Sequence, residues 1–344
     1  VLALCLMEAF YDFEKPIVLL EKKLTDLRNL AREEGMDFKN EIVSLEKKVA
    51  KLIEETYAGL TPWQLVQVSR HPNRPYTRDF VDNLFTDFME LQGDRTYADD
   101  QAILGGTAMW DMGGTHGKVP VMIIGHQKGR STKQKMERNF GMAKPEGYRK
   151  AMRLMELASR SQMPIITFID TPGAYPGLDA EERGQSQAIA ESIRMMFGLK
   201  VPVLALVIGE GGSGGALAVG IADRVVMMEY STYSVISPES CASILWNDAS
   251  LAEHAAEKLK MNPKDLLALG VIDSIISEPS GGAHRDWEAT FASVRKEITK
   301  NFNPLMKSQG KTAQTKKLLE ARSLKFREMG ESALARIQTE ETTP

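Results

Sequence analysis

The sequence predicts an α/β protein of stacked β-α units, with a helical hairpin at its N-terminal end and a helical tail at its C-terminal end. Three observations carry this. From about residue 77, short runs rich in β-branched residues alternate with segments of helical periodicity, the pattern that builds a sheet with helices on its faces. Three of those runs lead directly into glycine-rich stretches. Residues 16–58, and the chain from about 287 onward, instead alternate charged and apolar residues at helical spacing.

In order along the chain, Ile17, Leu20, Leu24 and Leu27, then Ile42, Leu45, Val49, Leu52 and Ile53, mark two amphipathic helices. The break at Glu34-Gly35-Met36 folds them into an antiparallel hairpin, an arm packed on the core or on a partner. Pro62, Pro72 and Pro75 punctuate a linker around His71-Pro72-Asn73-Arg74-Pro75-Tyr76. Beyond it, strands are expected at 119–125, 164–169, 201–208, 224–229 and 271–277. Helices are expected at 79–91, 146–162, 181–197, 213–222 and 251–269. Residues 109–117 read as a lengthened hairpin turn. The helices around Met152, Met155, Met195 and Met196 are candidates for a surface buried against a partner, with ordinary core as the plainer reading. The division expected is an arm and linker over 1–75, a main domain over 76–300 and a charged helical tail over 301–344.

Composition narrows the function. Over 344 residues the formal net charge is −3, and Lys and Arg are interspersed with Asp and Glu, so nothing favours nucleic acid. The two cysteines, Cys5 and Cys241, form neither a metal-ligand spacing nor a disulfide framework, which suits a reducing, cytoplasmic setting. The apolar residues 1–7 are too few to span a membrane and have no basic leader. Residues 1–6 read as an extension ahead of a start at Met7, and mass spectrometry of the native protein finding Val1 would sink that expectation. No later apolar run reaches spanning length.

The glycine-rich stretches are Gly125-His126-Gln127-Lys128-Gly129-Arg130, Asp170-Thr171-Pro172-Gly173-Ala174-Tyr175-Pro176-Gly177 and Gly209-Glu210-Gly211-Gly212-Ser213-Gly214-Gly215. At the ends of parallel strands they would gather on one sheet edge, where α/β folds place their sites. The third admits several readings. Its match to a dinucleotide fingerprint, with Glu229 at a suitable distance, is weakened by its mid-chain position and its small-residue helix. Gly211-Gly212-Ser213-Gly214-Gly215 also fits a nucleophile elbow, which would make Ser213 a hydrolase nucleophile. That reading needs a base, and none of His71, His116, His126, His254 and His284 stands in a context that marks it as one. The third reading is an oxyanion hole. Glycines let a ligand approach the backbone closely, and the amides of Gly214 and Gly215 are unsatisfied donors at the positive end of a helix. The Gly173-Ala174 turn would stand opposite.

The order strand, glycine loop, buried small-residue helix, then Ala222-Asp223-Arg224-Val225-Val226 resembles the crotonase superfamily. Residues 203–236 are similar to its second oxyanion-hole segment. Longer strings narrow the resemblance to the alpha-subunit family of acetyl-CoA carboxylase carboxyltransferases. They include Arg70-His71-Pro72, Gly93-Asp94-Arg95, Asn139-Phe140-Gly141-Met142, Pro145-Glu146-Gly147-Tyr148-Arg149-Lys150, Ala180-Glu181-Glu182-Arg183-Gly184-Gln185, Tyr230-Ser231-Thr232-Tyr233-Ser234 and Gly281-Gly282-Ala283-His284-Arg285. The resemblance covers about residues 10–300.

It implies a crotonase/ClpP-like ββα superhelix and transfer of a carboxyl group from carboxybiotin, held on a separate biotin carboxyl carrier protein, to acetyl-CoA, giving malonyl-CoA for fatty-acid synthesis. It also implies a beta subunit with a four-cysteine zinc ribbon, an alpha2beta2 assembly, and a biotin carboxylase in the wider ATP-dependent complex; no metal is expected in this chain. By resemblance, Gly214 and Gly215 form this chain's oxyanion hole, with Gly173 and Ala174 facing it. Gly211, Gly212, Ser213, Tyr175 and Pro176 would contact the carboxyl donor, and Lys128 and Arg130 a phosphate or carboxylate; a solvated basic turn is the alternative for those two. Competing functions are a carboxyltransferase or decarboxylase for another acyl-CoA such as propionyl-CoA, a serine hydrolase using Ser213, and an inert scaffold.

Overall fold

The computed structural model describes residues 10–34, 37–114, 117–307 and 312–341. Helices α1 (Lys15–Glu34) and α2 (Lys39–Ala58) are the expected hairpin. Their apolar stripes meet where Ile17, Val49, Ile53 and Tyr57 are buried together with Val68 of α3 (Pro62–Ser69). Pro62 and the Thr61 side chain, which accepts from the Gln64 amide at 3.2 Å, start α3. The arm is tied down by a polar contact as well: the Tyr57 hydroxyl donates to the buried Glu14 carboxylate at 2.7 Å. The proposed start at Met7, Cys5 and His116 lie outside the described residues.

After α4 (Thr77–Leu84) the chain builds a mixed sheet from β1 (Thr86–Glu90), β2 (Ile103–Asp111), β3 (Lys118–His126), β4 (Ile165–Thr171), β5 (Val203–Gly212), β6 (Arg224–Met228), β7 (Thr232–Ser234) and β8 (Ser274–Ile276). The order is β1-β2-β3-β4-β5-β6-β8, and β7 pairs with the far end of β5. The β1-β2-β3 pairings are antiparallel; the rest are parallel. Helices fill the connections: α5 (Thr132–Glu137), α6 (Pro145–Arg160), α7 (Leu178–Glu182), α8 (Gln185–Phe197), α9 (Ser213–Leu217), α10 (Pro238–Trp246), α11 (Ala252–Leu259), α12 (Pro263–Ala268), α13 (Trp287–Lys307) and α14 (Thr312–Glu341).

Strand alternation divides the core in two. Ile165, Ile169, Val203, Ala205 and Val207 face a layer with Leu154 and Met155 of α6 and Met196 of α8. Ile166, Phe168, Leu204, Leu206 and Ile208 face Phe80 of α4 and Val294, Ile298 and Phe302 of α13. All seven residues of β4 are buried, which is why its first five, Ile165–Ile169, carry only Thr167 as a polar residue. Met155 and Met196 are fully enclosed in this chain's own core, so neither offers a surface to a partner. α13 runs through residue 300 without a break. The tail helix α14 is docked by Arg322, which donates to the carbonyls of Met196 (2.7 Å), Leu199 (2.9 Å) and Val201 (3.0 Å) and pairs with Asp223 at 2.7 Å.

Several expected elements are corrected. The helix over 79–91 ends at Leu84, because Phe85 turns extended and the chain continues as edge strand β1. Strands β2 and β3 pair as the two limbs of a hairpin, from Ile103 with His126 to Asp111 with Lys118, but β2 escapes a propensity reading because it contains Gly105-Gly106. Gly106 is required there: a Cβ would sit 2.2 Å from the Met89 carbonyl oxygen. The helix over 181–197 is split at Gly184, whose φ of +80° breaks the turn between α7 and α8. The helix over 213–222 stops at Leu217, although the residues after it remain buried. The helix over 251–269 is two, divided where Lys260 turns left-handed and Pro263 starts α12. The strand over 271–277 shortens to β8.

Candidate functional site

Strands β3, β4 and β5 run parallel, so their C-terminal ends and all three glycine-rich stretches lie on one edge. Each end brings a charge. Lys128 is 2.7 Å from Asp170 and 2.9 Å from Glu210. Glu210 also accepts from Arg70 Nε at 2.6 Å, and Arg70 pairs in turn with Glu239. The Glu210 amide donates to Asp170 at 3.0 Å. Gly209 admits this approach, since a Cβ there would lie 2.4 Å from the Asp170 carboxylate.

The charges alternate, and each stabilises its neighbours. Burial opposes the charge on Lys128, but Asp170 and Glu210 outweigh it and hold its pKa above the ordinary value. Burial likewise works against Glu210, and Lys128 and Arg70 overcome it, holding its pKa below the usual range. Asp170 is raised by burial, which Lys128 only partly offsets. Removing Lys128 would leave the buried Asp170 without a counter-charge and Glu210 with Arg70 alone.

Above this network two loops interlock. Strand β5 continues to Gly212, so Gly209, Gly211 and Gly212 belong to the strand and not to a loop. A Cβ at Gly212 would stand 2.1 Å from the Pro172 carbonyl oxygen. One at Gly215 would stand 2.6 Å from the Gly173 carbonyl carbon and 2.8 Å from the Ala174 nitrogen. Gly173 has φ +155°, and its amide donates to Thr171 Oγ1 at 3.1 Å while that hydroxyl donates back to the Gly173 carbonyl at 2.7 Å. The structure thus brings Gly173, Ala174, Gly214 and Gly215 together. Gly214 and Gly215 lie in the first turn of α9, where amides have no intrahelical acceptor.

The other sequence-derived candidates are distributed around this pair of loops. Gly211 packs on Tyr233, and Ser213, at φ +53°, lies against Gly173. No hydrogen bond joins Ser213 to a described histidine: His71 and His284 stack on each other at 3.9 Å, and His254 is 4.0 Å from Glu257. Tyr175 is half-buried beneath the Lys144 ammonium at 4.7 Å, and Pro176 is exposed. Lys128 and Arg130 find their counter-charges within the chain. Arg130 pairs with Asp79 and lies between the rings of Tyr76 and Trp287, at 4.4 and 4.8 Å.

A cavity of about 320 Å³ opens beside Ser213, walled by Leu217, Leu266, Val271 and Phe326, with Tyr233 and Ser234 as its other polar residues. A larger one, about 630 Å³, lies between the arm and the core around Tyr57, Glu229 and Glu278 and contains none of the glycine loops. The smaller cavity meets the site only at Ser213; Gly173, Ala174, Gly214 and Gly215 do not line it. Sequence reading missed Asp170, Glu210, Arg70 and Glu239 as a set. The available signal was a lone charge just past each apolar run. It also gave no role to His126, which is wholly buried, its pKa pushed down to about 3 by burial and by the Lys128 charge. No described helix is long and apolar enough to cross a membrane.

Comparison with known proteins converges on one family. Residues 10–330 match the model of the acetyl co-enzyme A carboxylase carboxyltransferase-like family. The acetyl-coenzyme A carboxylase carboxyl transferase subunit alpha of Thiobacillus denitrificans is 53% identical over 93% of this chain and 96% of its own length. Its counterpart in a Geobacillus species is 51% identical over 96% and 98%. Among solved structures, transcarboxylase 12S aligns with TM-score 0.54 at 18% identity, over 69% of this chain and 43% of that one. A Pseudomonas malonate decarboxylase hetero-tetramer in complex with coenzyme A aligns with TM-score 0.54 at 16% identity, over 71% and 93%. These two share the fold, a crotonase-like sheet with helices on both faces.

Proposed function

The chain belongs to the alpha-subunit family of acetyl-CoA carboxylase carboxyltransferases, and on that premise we propose that it supplies one half of a site moving a carboxyl group from carboxybiotin to acetyl-CoA. The observation that carries this is the interlock of Gly215 with the Gly173-Ala174 turn. It puts the first turn of α9, with the Gly214 and Gly215 amides, against the Ala174 nitrogen, while the Gly173 amide is taken by Thr171 Oγ1; preorganised donors at such an edge stabilise an oxygen that gains charge. Each such donor is worth on the order of 3 kcal/mol in a transition state.

Carboxybiotin, when bound, supplies the carboxyl group and leaves charge on its ureido oxygen. The residues present suit it: the cavity beside Ser213 is apolar apart from Ser213, Tyr233 and Ser234, as a ring system with a small polar head requires. The amides of Gly214 and Gly215 meet the developing charge. Ser213 borders the donor in that cavity, whereas Gly211, Gly212, Tyr175 and Pro176 do not line it, and Lys128 and Arg130 hold the loops that present it. We assign residues 1–75 to the arm and linker and the chain from 76 to the carboxyltransferase domain, which extends past 300 to the end of α13 because Phe302 lies in its core, with the tail following. The second oxyanion hole and a zinc ribbon belong to a beta subunit, in a cytoplasmic alpha2beta2 assembly served by a biotin carboxyl carrier protein and a biotin carboxylase.

The test is carboxyl exchange between malonyl-CoA and biocytin, with this chain alone, with a beta subunit alone, and with both. Activity only in the mixture supports the half-site. Activity from this chain alone, or none from a folded, associated mixture, overturns it; faster exchange with methylmalonyl-CoA would redirect the reading to propionyl-CoA. The positive φ of Ser213 keeps one second reading, a hydrolase nucleophile. It requires Ser213 to react with a fluorophosphonate probe, and unlabelled Ser213 in an exchange-competent mixture removes it.

A further inference from the structure

His126 ends β3 and is fully buried, yet neither ring nitrogen has a hydrogen-bond partner. Its own backbone is held: its carbonyl accepts from Thr77 Oγ1, and it is in register with Ile103 of β2. The ring is therefore fixed from behind while its polar atoms stay unsatisfied. The backbone carbonyls of Phe168 and Gly215 face it closely enough to favour its protonated form, without forming good hydrogen bonds.

An unsatisfied buried polar group costs about 1–3 kcal/mol, and an apolar side chain of the same shape would avoid that cost. A ring retained at such a cost calls for a use, and its neighbour identifies one. Gly215 is the residue whose backbone abuts the Gly173-Ala174 turn. Burial and the Lys128 charge keep the imidazole neutral, so it has one N–H to give and one lone pair. The Gly215 backbone is one of the two groups that act on the ring, so an N–H directed at its carbonyl would fix the peptide that follows the donor pair.

We propose that His126 is a positioning residue for the Gly214-Gly215 donors, its ring closing on the Gly215 carbonyl when ligand occupies the site and holding the first turn of α9 against the Gly173-Ala174 turn. This rests on the oxyanion reading of those donors.

The experiment uses the full chain assembled with its beta subunit. His126→Phe keeps the bulk and removes the polar atoms; His126→Gln restores an N–H. If His126 positions the donors, His126→Phe melts at or above the wild-type temperature. Its KM for malonyl-CoA stays within about twofold, and its kcat falls about tenfold to a hundredfold, as expected when a reacting geometry loosens. His126→Gln recovers part of that loss. A merely structural histidine gives His126→Phe with wild-type kcat, which overturns the proposal. Gly214→Pro is measured in parallel to keep the two readings apart. If it abolishes exchange while His126→Phe does not, only the positioning role fails; if it too is active, the oxyanion reading fails first. Should His126→Phe not fold, nitrogen-15 spectra of histidine-labelled wild-type complex decide. Biocytin moving a His126 N–H resonance downfield supports the closure, and an unmoved resonance refutes it.

Discussion

Gly215→Ala places a methyl group where the structure has backbone. Its Cβ would stand 2.6 Å from the Gly173 carbonyl carbon, 2.8 Å from the Ala174 nitrogen and 2.9 Å from the Gly173 oxygen, whereas ordinary contact begins at 3.4 Å. The nearest approach is thus about 0.8 Å too short, and no side chain can rotate to relieve it. Either α9 or the Gly173-Ala174 turn has to move by that amount. A displacement near 1 Å at a reacting centre costs about a hundredfold in rate, equivalent to about 2.7 kcal/mol, against about 1–3 kcal/mol of stability for the overpacking itself. Gly214→Ala is the control. Its Cβ meets only Ile189, at 3.4 and 3.5 Å, and its amide remains. Exchange between malonyl-CoA and biocytin, with folding checked by circular dichroism, should show Gly215→Ala reduced about a hundredfold and Gly214→Ala within about threefold of wild type. Equal losses in the two variants, or a folded Gly215→Ala of normal activity, would refute the claim that the interlock sets the donor geometry.

Lys128→Met leaves Asp170 and Glu210 buried without their shared cation, and urea denaturation should register a loss of about 3–5 kcal/mol. Arg322→Met should cost a comparable amount by leaving Asp223 unpaired, and limited proteolysis should then cut within α14 first. Glu14 carries a pH signature. Burial opposes its charge, but His284, the Tyr11 amide and the Tyr57 hydroxyl overcome this and lower its pKa from 4.5 to about 2. A lowered carboxylate contributes stability that is complete above its unfolded value and is lost as pH falls through the folded one. Melting temperatures should therefore fall between about pH 4.5 and pH 2 in wild type, and Glu14→Gln should flatten that part of the curve; an unchanged slope would contradict the assignment.

The parts of this fold legible in the sequence were those with a local period. The hairpin showed itself through Ile17, Leu24, Val49 and Ile53, and the central strands through runs such as 164–169, which the structure buries on both faces. What escaped was set by neighbours distant in sequence. Strand β2 needs Gly106 because β1 crosses close beside it, so the residue that permits the pairing also erases the strand signal. The ionic set joins Arg70, Lys128, Asp170, Glu210 and Glu239, which no short window contains. His126 lacked any signal, because its interest lies in hydrogen bonds it does not make.

The site itself was visible as glycines, but their number was a weaker clue than their differences. Gly212 and Gly215 are excluded from bearing a Cβ by the backbone of the facing turn, while Gly214 has room for one. A stretch kept only for helix–sheet packing would put its constraints on residues that touch side chains. Gly209 and Gly211 fit that description, meeting the Asp170 and Tyr233 side chains, whereas Gly212 and Gly215 meet the Thr171–Ala174 turn backbone to backbone. Backbone contact of that kind has no rotamers to average over, so it transmits small displacements directly to the amides. The buried charges beneath it act in the same sense: Lys128 joins the ends of β4 and β5 through Asp170 and Glu210, and Arg70 extends the link to Glu239 on α10. Donor amides serve a transition state only if they are already in place when charge develops. On this edge their placement is fixed from above by steric exclusion and from below by ion pairs, so loosening either one should lower kcat before it lowers affinity.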